Sequence, residues 1–257
     1  MCILKFNFKL LTLFGCWRPD SWASLYKRII YHIHTSIITF LLNSFMLTQL
    51  IDVLLTTDNA SEFFDNIYIL ISVFNVCCKY FVLLINRKNI LILINILMEK
   101  PCKPSTSTEM KILYKFDKNI QIYTKYYVYL AMISIFNIVL SSLFINFGKR
   151  KLMFRAWLPF DYTSTVPFCL TYIYQLIGII IAACVNVGCD TLICGLLFHI
   201  CCQIEILTYR LRKIISYSNI IRDCVLQHYN IFRLSLIILQ ILQILSFISF
   251  TLGEKIF

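Results

Sequence analysis

The chain has 257 residues, of which 59% are hydrophobic and only 14% charged, with a net charge of +11 and a mean hydropathy of +0.76. A soluble domain carries about 25% charge, so a soluble globular fold is excluded, and several apolar runs of spanning length specify an all-α, multi-span helical membrane protein. The positive charge is spread over the loops rather than gathered on one face bearing a nucleic-acid-binding motif, which excludes nucleic acid as the expected partner and leaves the lipid bilayer.

Residues 1–28 carry Lys5, Lys9, Arg18, Lys27 and Arg28 against Asp20. The apolar piece 10–17 is too short to span and lacks a small-residue cleavage site. It reads as an amphipathic part of a cytoplasmic N-terminal segment lying on the membrane, ended by Gly15 and Pro19. A first span is predicted over about 29–55. His32 and His34 sit near its start and, two apart on a helix, point in different directions, which disfavours a shared metal. Asp52, Asp58, Glu62 and Asp65 follow with no Lys or Arg, and Asn59-Ala60-Ser61 is an N-glycosylation acceptor pattern in the same loop.

A second span is predicted over about 66–86, with Lys79 near one end, where its ammonium is expected to snorkel towards the headgroups. The loop from Arg87 to Lys125 is strongly basic. Within it, residues 90–98 are apolar but too short to cross, residues 101–108 form a linker rich in Pro, Ser and Thr, and Ile112, Leu113, Phe116, Ile120 and Tyr123 recur at helical spacing. These predict helices that extend into the cytosol or lie on the inner leaflet. A third span covers about 126–147, with Tyr123, Tyr126, Tyr127 and Tyr129 as an aromatic belt at its lower end.

The run 166–187 contains only Thr171, Gln175 and Asn186 as strongly polar residues, enough for a fourth span of roughly 20 residues. The apolar character continues to Tyr209, and 166–209 as one helix would be ~65 Å long at ~1.5 Å per residue. Two readings compete: one helix continuing past the bilayer, or two short spans hinged at Gly188-Cys189-Asp190. A basic stretch 209–233 precedes a fifth span over about 234–252.

Orientation follows from loop Lys and Arg. The N-terminal segment, the second loop and the fourth loop are basic and the first loop is acidic, which places the N-terminus in the cytosol. Lys149-Arg150-Lys151 and Arg155 violate this count. A hinge in the fourth span would add Arg210, Arg212 and Lys213 to the violations, so one long helix is preferred. No catalytic constellation is present: His32, His34, His199 and His228 are scattered, the 12 cysteines include no C-x-x-C, and no phosphate-binding loop occurs. The chain is not expected to be an enzyme or to hold a cofactor or metal. Gly178 with Ala182 and Ala183 reads as a close-packing face.

Several elements taken in order resemble the insect odorant receptors. They are Leu11 through Pro19 with Gly15 and Trp17; Trp157-Leu158-Pro159-Phe160-Asp161; Tyr172, Tyr174 and Gln175; Asp190, His199, Leu207, Arg210 and Leu211; and Cys224, His228 and Ile231. The resemblance covers essentially the whole chain. It implies a seven-span fold with a cytoplasmic N-terminus, a fourth helix extended below the membrane, and an odorant-gated cation channel in which the receptor assembles as a heteromer with a shared co-receptor in the plasma membrane of olfactory sensory neurons. Five of the seven spans are recognised here, so a truncated form lacking the pore-lining seventh span is expected.

The resemblance also implies a volatile-odorant pocket in the outer half of the bundle, among spans two, three, four and six. By position the candidates are Tyr68, Ile71, Phe74 and Asn75 on span two, Phe136, Leu140 and Leu143 on span three, and Tyr172, Gln175, Leu176 and Ile179 on span four. The competing readings are a gustatory-type chemoreceptor, a non-functional truncated remnant and, with no paired broken helices to support it, a transporter fragment.

Overall fold

The computed structural model describes residues 4–19, 22, 24–55, 60–213 and 219–256. It is a helical bundle of α1 (Lys5–Leu13), α2 (Leu25–Leu55), α3 (Ala60–Ile85), α4 (Arg87–Met98), α5 (Ser107–Ile145), α6 (Thr165–Lys213) and α7 (Asn219–Ile256), with a 3₁₀ turn at Phe147–Lys149. Five of these helices are long and apolar enough to cross a membrane: α2, α3, α5, α6 and α7. Asn59 lies outside the described residues. Below, the upper end is where α2 gives way to α3, and the lower end is where α6 finishes.

α6 is one unbroken helix of 49 residues, ~73 Å long, and it packs against α1, α2, α3, α5 and α7. The hinge considered at Gly188-Cys189-Asp190 does not form. Those residues are all helical, and Gly188 and Cys189 are buried by neighbours rather than exposed at a turn. Pro167 is tolerated because it sits in the first turn, where its missing N–H has no helical acceptor. α5 is also a single rod, of 39 residues. The helical pattern 112–123 and the third span merge because nothing between Ser107 and Ile145 is Gly or Pro. Its start is fixed by a cap in which the Thr106 side chain accepts from the Glu109 amide at 3.3 Å, while Glu109 Oε2 accepts from the amide of Ser105, the residue before the cap, at 2.7 Å.

The segment expected on the membrane surface is instead folded into the bundle. α1 ends in a Schellman turn: Cys16 N–H donates to Leu11 O at 2.8 Å and Gly15 N–H to Thr12 O at 3.3 Å, with Gly15 at φ +70°. The turn directs the apolar residues Leu11, Cys16 and Trp17 inwards, where they are buried. The landing strip is on α6. A Cβ on Gly188 would stand 2.9 Å from Leu11 Cδ2, and one on Gly195 would collide with Leu4, so these glycines are there for close approach. Arg87 closes the far side, lying 5.2 Å over the Trp17 ring and donating to Arg18 O at 2.8 Å. Replacing Gly195 with Leu is therefore expected to displace α1. Cys16, fully buried, should then react with a thiol reagent at a rate closer to that of the exposed Cys201. Peptide mapping after timed labelling reads this directly, and an unreactive Cys16 in that variant would contradict the docking.

Several polar groups inside the bundle find protein partners on other helices, as an apolar solvent favours, whereas the buried Gln49 amide finds none among the described residues. Tyr80 Oη meets Thr39 Oγ1 at 3.0 Å, Tyr174 Oη meets Ser44 Oγ at 2.7 Å, and Asn66 donates to Asp52 at 2.9 Å. Lys79 departs from the sequence expectation. It does not reach for headgroups but crosses from α3 to α6, donating to Asp190 Oδ1 at 2.7 Å and Asn186 Oδ1 at 2.8 Å. A carboxylate one helix away is a better partner for a cation at this depth than a distant interface.

Candidate functional site

Among the described residues, three regions along α6 bring together polar or cavity-lining side chains from several helices. At the lower end Arg210 of α6 is buried and uses all five of its N–H groups. Nε and Nη2 donate to Glu109 Oε1 and Oε2 at 3.1 and 2.7 Å. Nη1 donates to Pro101 O at 2.6 Å and to Gln227 Oε1 at 2.9 Å, and Nη2 also donates to Lys103 O at 3.2 Å. Gln227 of α7 in turn donates to Gln203 Oε1 at 3.0 Å, and Gln203 to Cys102 O at 3.1 Å. The planar fork of an arginine suits such a bidentate carboxylate contact. One side chain thus ties the 101–103 linker, the start of α5, α6 and α7 into a closed network. A cleft of about 610 Å³ opens beside it, lined by Lys100, Lys103, Tyr209, Lys213 and Asp223 among others.

Glu109 and Arg210 lie beyond the apolar crossing stretches 126–147 and 166–187. Burial pushes the Glu109 carboxyl up, but the Arg210 guanidinium and the Ser105 amide more than offset this, and it titrates below the ordinary carboxylate range. A depressed carboxyl pKa stabilises the fold above the ordinary glutamate value, and this contribution is lost as pH falls through the depressed one. Thermal stability should therefore be flat with respect to this group near neutrality and fall in acid. The acid-limb loss should be smaller in Glu109→Gln than in the parent, as thermal melts across pH in detergent would show.

Midway along α6, a cavity of about 390 Å³ lies between α5 and α6, with Tyr123, Thr124, Tyr127, Asp190, Cys194 and Phe198 in its wall. Residues 190, 194 and 198 are successive turns of one α6 face, and 120, 123 and 127 of the facing α5 surface, so helical spacing alone creates the walls. Tyr123 and Phe198 stack with ring centroids 6.0 Å apart.

The upper end holds the residues expected to line a pocket. Tyr172 is 1% exposed; its hydroxyl is bonded to Ser142 Oγ at 2.7 Å, and its ring contacts Phe147 and Phe168. Gln175, also 1% exposed, grips the backbone of the strap between α5 and α6: Phe154 N–H donates to Oε1 at 3.1 Å, and Nε2 donates to Phe154 O at 2.7 Å. The strap is held again where Trp157 N–H donates to Thr48 O at 3.2 Å. Ile71, Phe74, Asn75, Leu176 and Ile179 are half-buried, whereas Tyr68 and Phe136 are 74% and 63% exposed and Leu140 and Leu143 are also exposed. The structure thus does not gather all of these residues around one void, and none lines the 610 Å³ cleft or the 390 Å³ cavity.

The Arg210–Glu109 pair and the Lys79–Asp190 pair are not foreshadowed in the sequence. The Thr106-x-x-Glu109 capping pattern marks Glu109 as structurally placed, and Gln203 and Arg210 fall two turns apart on one helix face. Nothing local connects either pair, because the partners are 101 and 111 residues apart.

The family model described as 7tm Odorant receptor matches residues 59–254. Odorant receptor Or1 of Anopheles gambiae is 36% identical over 91 residues, which is 34% of this chain and 21% of that protein. The structure of the insect olfactory receptor OR5 from Machilis hrabei in complex with eugenol superposes with a TM-score of 0.79 at 17% identity, covering 96% of this chain and 67% of that one. A second structure of OR5 from Machilis hrabei gives a TM-score of 0.71 at 17% identity, covering 96% of this chain and 68% of that one. At this identity the structural likeness speaks for the fold.

Proposed function

Because the chain belongs to the 7tm odorant receptor family and is a multi-pass helical membrane protein, we propose that it is the odorant-binding subunit of a heteromeric odorant-gated cation channel. In this reading it sits in the plasma membrane of olfactory sensory neurons beside a shared co-receptor, with its N-terminus in the cytosol. The observation that carries the proposal is the family match across 59–254, which takes in α3, α4, α5, α6 and most of α7. The insect olfactory receptor OR5 from Machilis hrabei, solved in complex with eugenol, has the same arrangement of helices, which supports a volatile ligand here. The basic lower end, with Lys100, Lys103, Arg210, Arg212 and Lys213, supports the cytosolic placement of that end.

The ligand lies in the upper half of the bundle among α3, α5 and α6. Phe74, Ile71, Leu176 and Ile179, half-buried and without polar duties, form its apolar wall. Asn75 supplies polarity, Gln175 holds the α5–α6 strap over it through Phe154, Tyr68, Phe136 and Leu140 flank it, and Tyr172 positions the α5–α6 seam through Ser142. An odorant opens the channel by binding the open state better than the closed one.

The test is expression with the co-receptor in a heterologous cell and recording of odorant-evoked cation current. A current identical with and without this chain rejects the function. Where a response is found, Phe74→Ala should raise the half-maximal odorant concentration about tenfold, equivalent to ~1.4 kcal/mol, while a co-receptor agonist response stays unchanged. An N-terminal epitope reached by antibody on unpermeabilised cells would reverse the orientation.

A further inference from the structure

The cavity between α5 and α6 is separate from the upper-half wall proposed above, and its chemistry is different. Its lining contains one ionised side chain, Asp190, and no Lys, Arg or His. Lys79 reaches Asp190 from the α3 side and engages Oδ1; Oδ2 accepts no hydrogen bond among the described residues, and the side chain retains 32% of its exposure. Three rings make up much of the remaining wall, Tyr123 and Tyr127, both exposed, and Phe198 stacked on Tyr123, with Ile120, Thr124, Cys194 and Gly195 between them. Thr191 at the back has its hydroxyl turned to Val187 O and Gly188 O at 2.8 and 3.2 Å, so it offers no donor to an occupant. An acceptor oxygen at one end of an apolar, ring-lined space selects a hydrogen-bond-donating cation with an apolar body. Aromatic faces attract ammonium groups, and a carboxylate strengthens a charge-assisted hydrogen bond.

We propose that this cavity is a second ligand site, one that takes a small apolar amine in its ammonium form, entering laterally between α5 and α6. The ammonium sits between Asp190 Oδ2 and the Tyr127 ring, and the hydrocarbon part lies against Tyr123, Phe198 and Ile120. Lys79 keeps its own oxygen, so the ion pair that joins α3 to α6 is retained.

Cys194, exposed and one helical turn from Asp190, reports on the site. In the full chain carrying Cys201→Ser, solubilised in a neutral detergent, modification of Cys194 is timed with the cationic trimethylammonium-ethyl and the anionic sulfonatoethyl methanethiosulfonates, each normalised to a free thiol in solution. The expected result is at least a fivefold normalised preference for the cationic reagent. Phenethylammonium should slow labelling, and the neutral isosteres 2-phenylethanol and propylbenzene should do so several-fold less. Asp190→Asn should remove both the preference and the protection by amine. Because that change also strips Lys79 of its partner, Tyr127→Leu is the companion: it leaves the ion pair intact and should weaken amine protection several-fold with the fold unchanged by size-exclusion profile. Equal normalised rates for the two reagents overturn the proposal. So does equal protection by amine and propylbenzene, or protection by added phosphatidylcholine but not by phenethylammonium, which would make the occupant a lipid.

Discussion

Arg210→Met is expected to be the most damaging single substitution away from the ligand wall. It leaves Glu109 buried as an uncompensated carboxylate, and removing one partner of a buried pair costs about 3–5 kcal/mol. It also leaves the Pro101 and Lys103 carbonyls and Gln227 Oε1 without their donor. Fluorescence-detected size exclusion should show loss of the monodisperse peak or a sharply lowered melting temperature. Arg210→Lys should rescue little, since one ammonium has three donors and no fork, whereas the site uses five donors in a plane. The double change Arg210→Met with Glu109→Met should recover part of the loss by removing the orphaned charge. It should not recover all of it, because the linker carbonyls remain unpaired at about 1–3 kcal/mol each. If Arg210→Lys is as stable as the parent, the five-contact network is not what holds the lower end together.

The second large effect is expected at Lys79. Asp190→Leu strands the ammonium within the bundle, where an isolated Lys costs up to about 3 kcal/mol, the value reached at mid-membrane, and Asn186 Oδ1 alone cannot neutralise it. Lys79→Leu strands the Asp190 carboxylate in the same way. The double variant should lie much closer to the parent than the sum of the singles. A thermal-stability cycle over the four proteins measures the coupling, and additive singles would show that the two residues do not act as a pair. The charge-reversed variant, Lys79→Asp combined with Asp190→Lys, should fall between the singles and the parent. It restores an opposite-charge pair across the same two helices, but Asn186 would then have to turn its amide N–H₂ to the new carboxylate.

Much of the architecture is legible in the sequence because its causes are local. Apolar runs uninterrupted by Gly or Pro become rods, and the loop count of Lys and Arg is enough to prefer a continuous fourth membrane-spanning helix over a hairpin, as α6 proves to be. The errors share one physical origin, which is that partners far apart in sequence decide how an ambiguous residue is used. Gly188 and Asp190 look like a hinge until α1 is seen to dock on the glycine and Lys79 on the acid. The 10–17 segment has the composition of a surface anchor; only the Schellman turn at Gly15 and the glycine strip on α6 bring it inside. The upper-half residues illustrate the limit most clearly. Spacing places Tyr172 and Gln175 on one helix face, but it cannot say that a serine on α5 and a strap backbone already occupy their polar atoms.

The unbroken character of α6 has a mechanical corollary. Its upper turns hold the strap through Gln175 and its last turns hold the lower network through Arg210, so the helix is a lever fixed to both. Tilting a rigid rod of ~73 Å by about 5° would carry its tip through ~6 Å, more than the pitch of one helical turn. A hydrogen bond made at one end tolerates a small fraction of that travel. Whatever shifts the strap against α6 must therefore either be absorbed where it occurs or be felt, magnified, by the linker and the opening turns of α5.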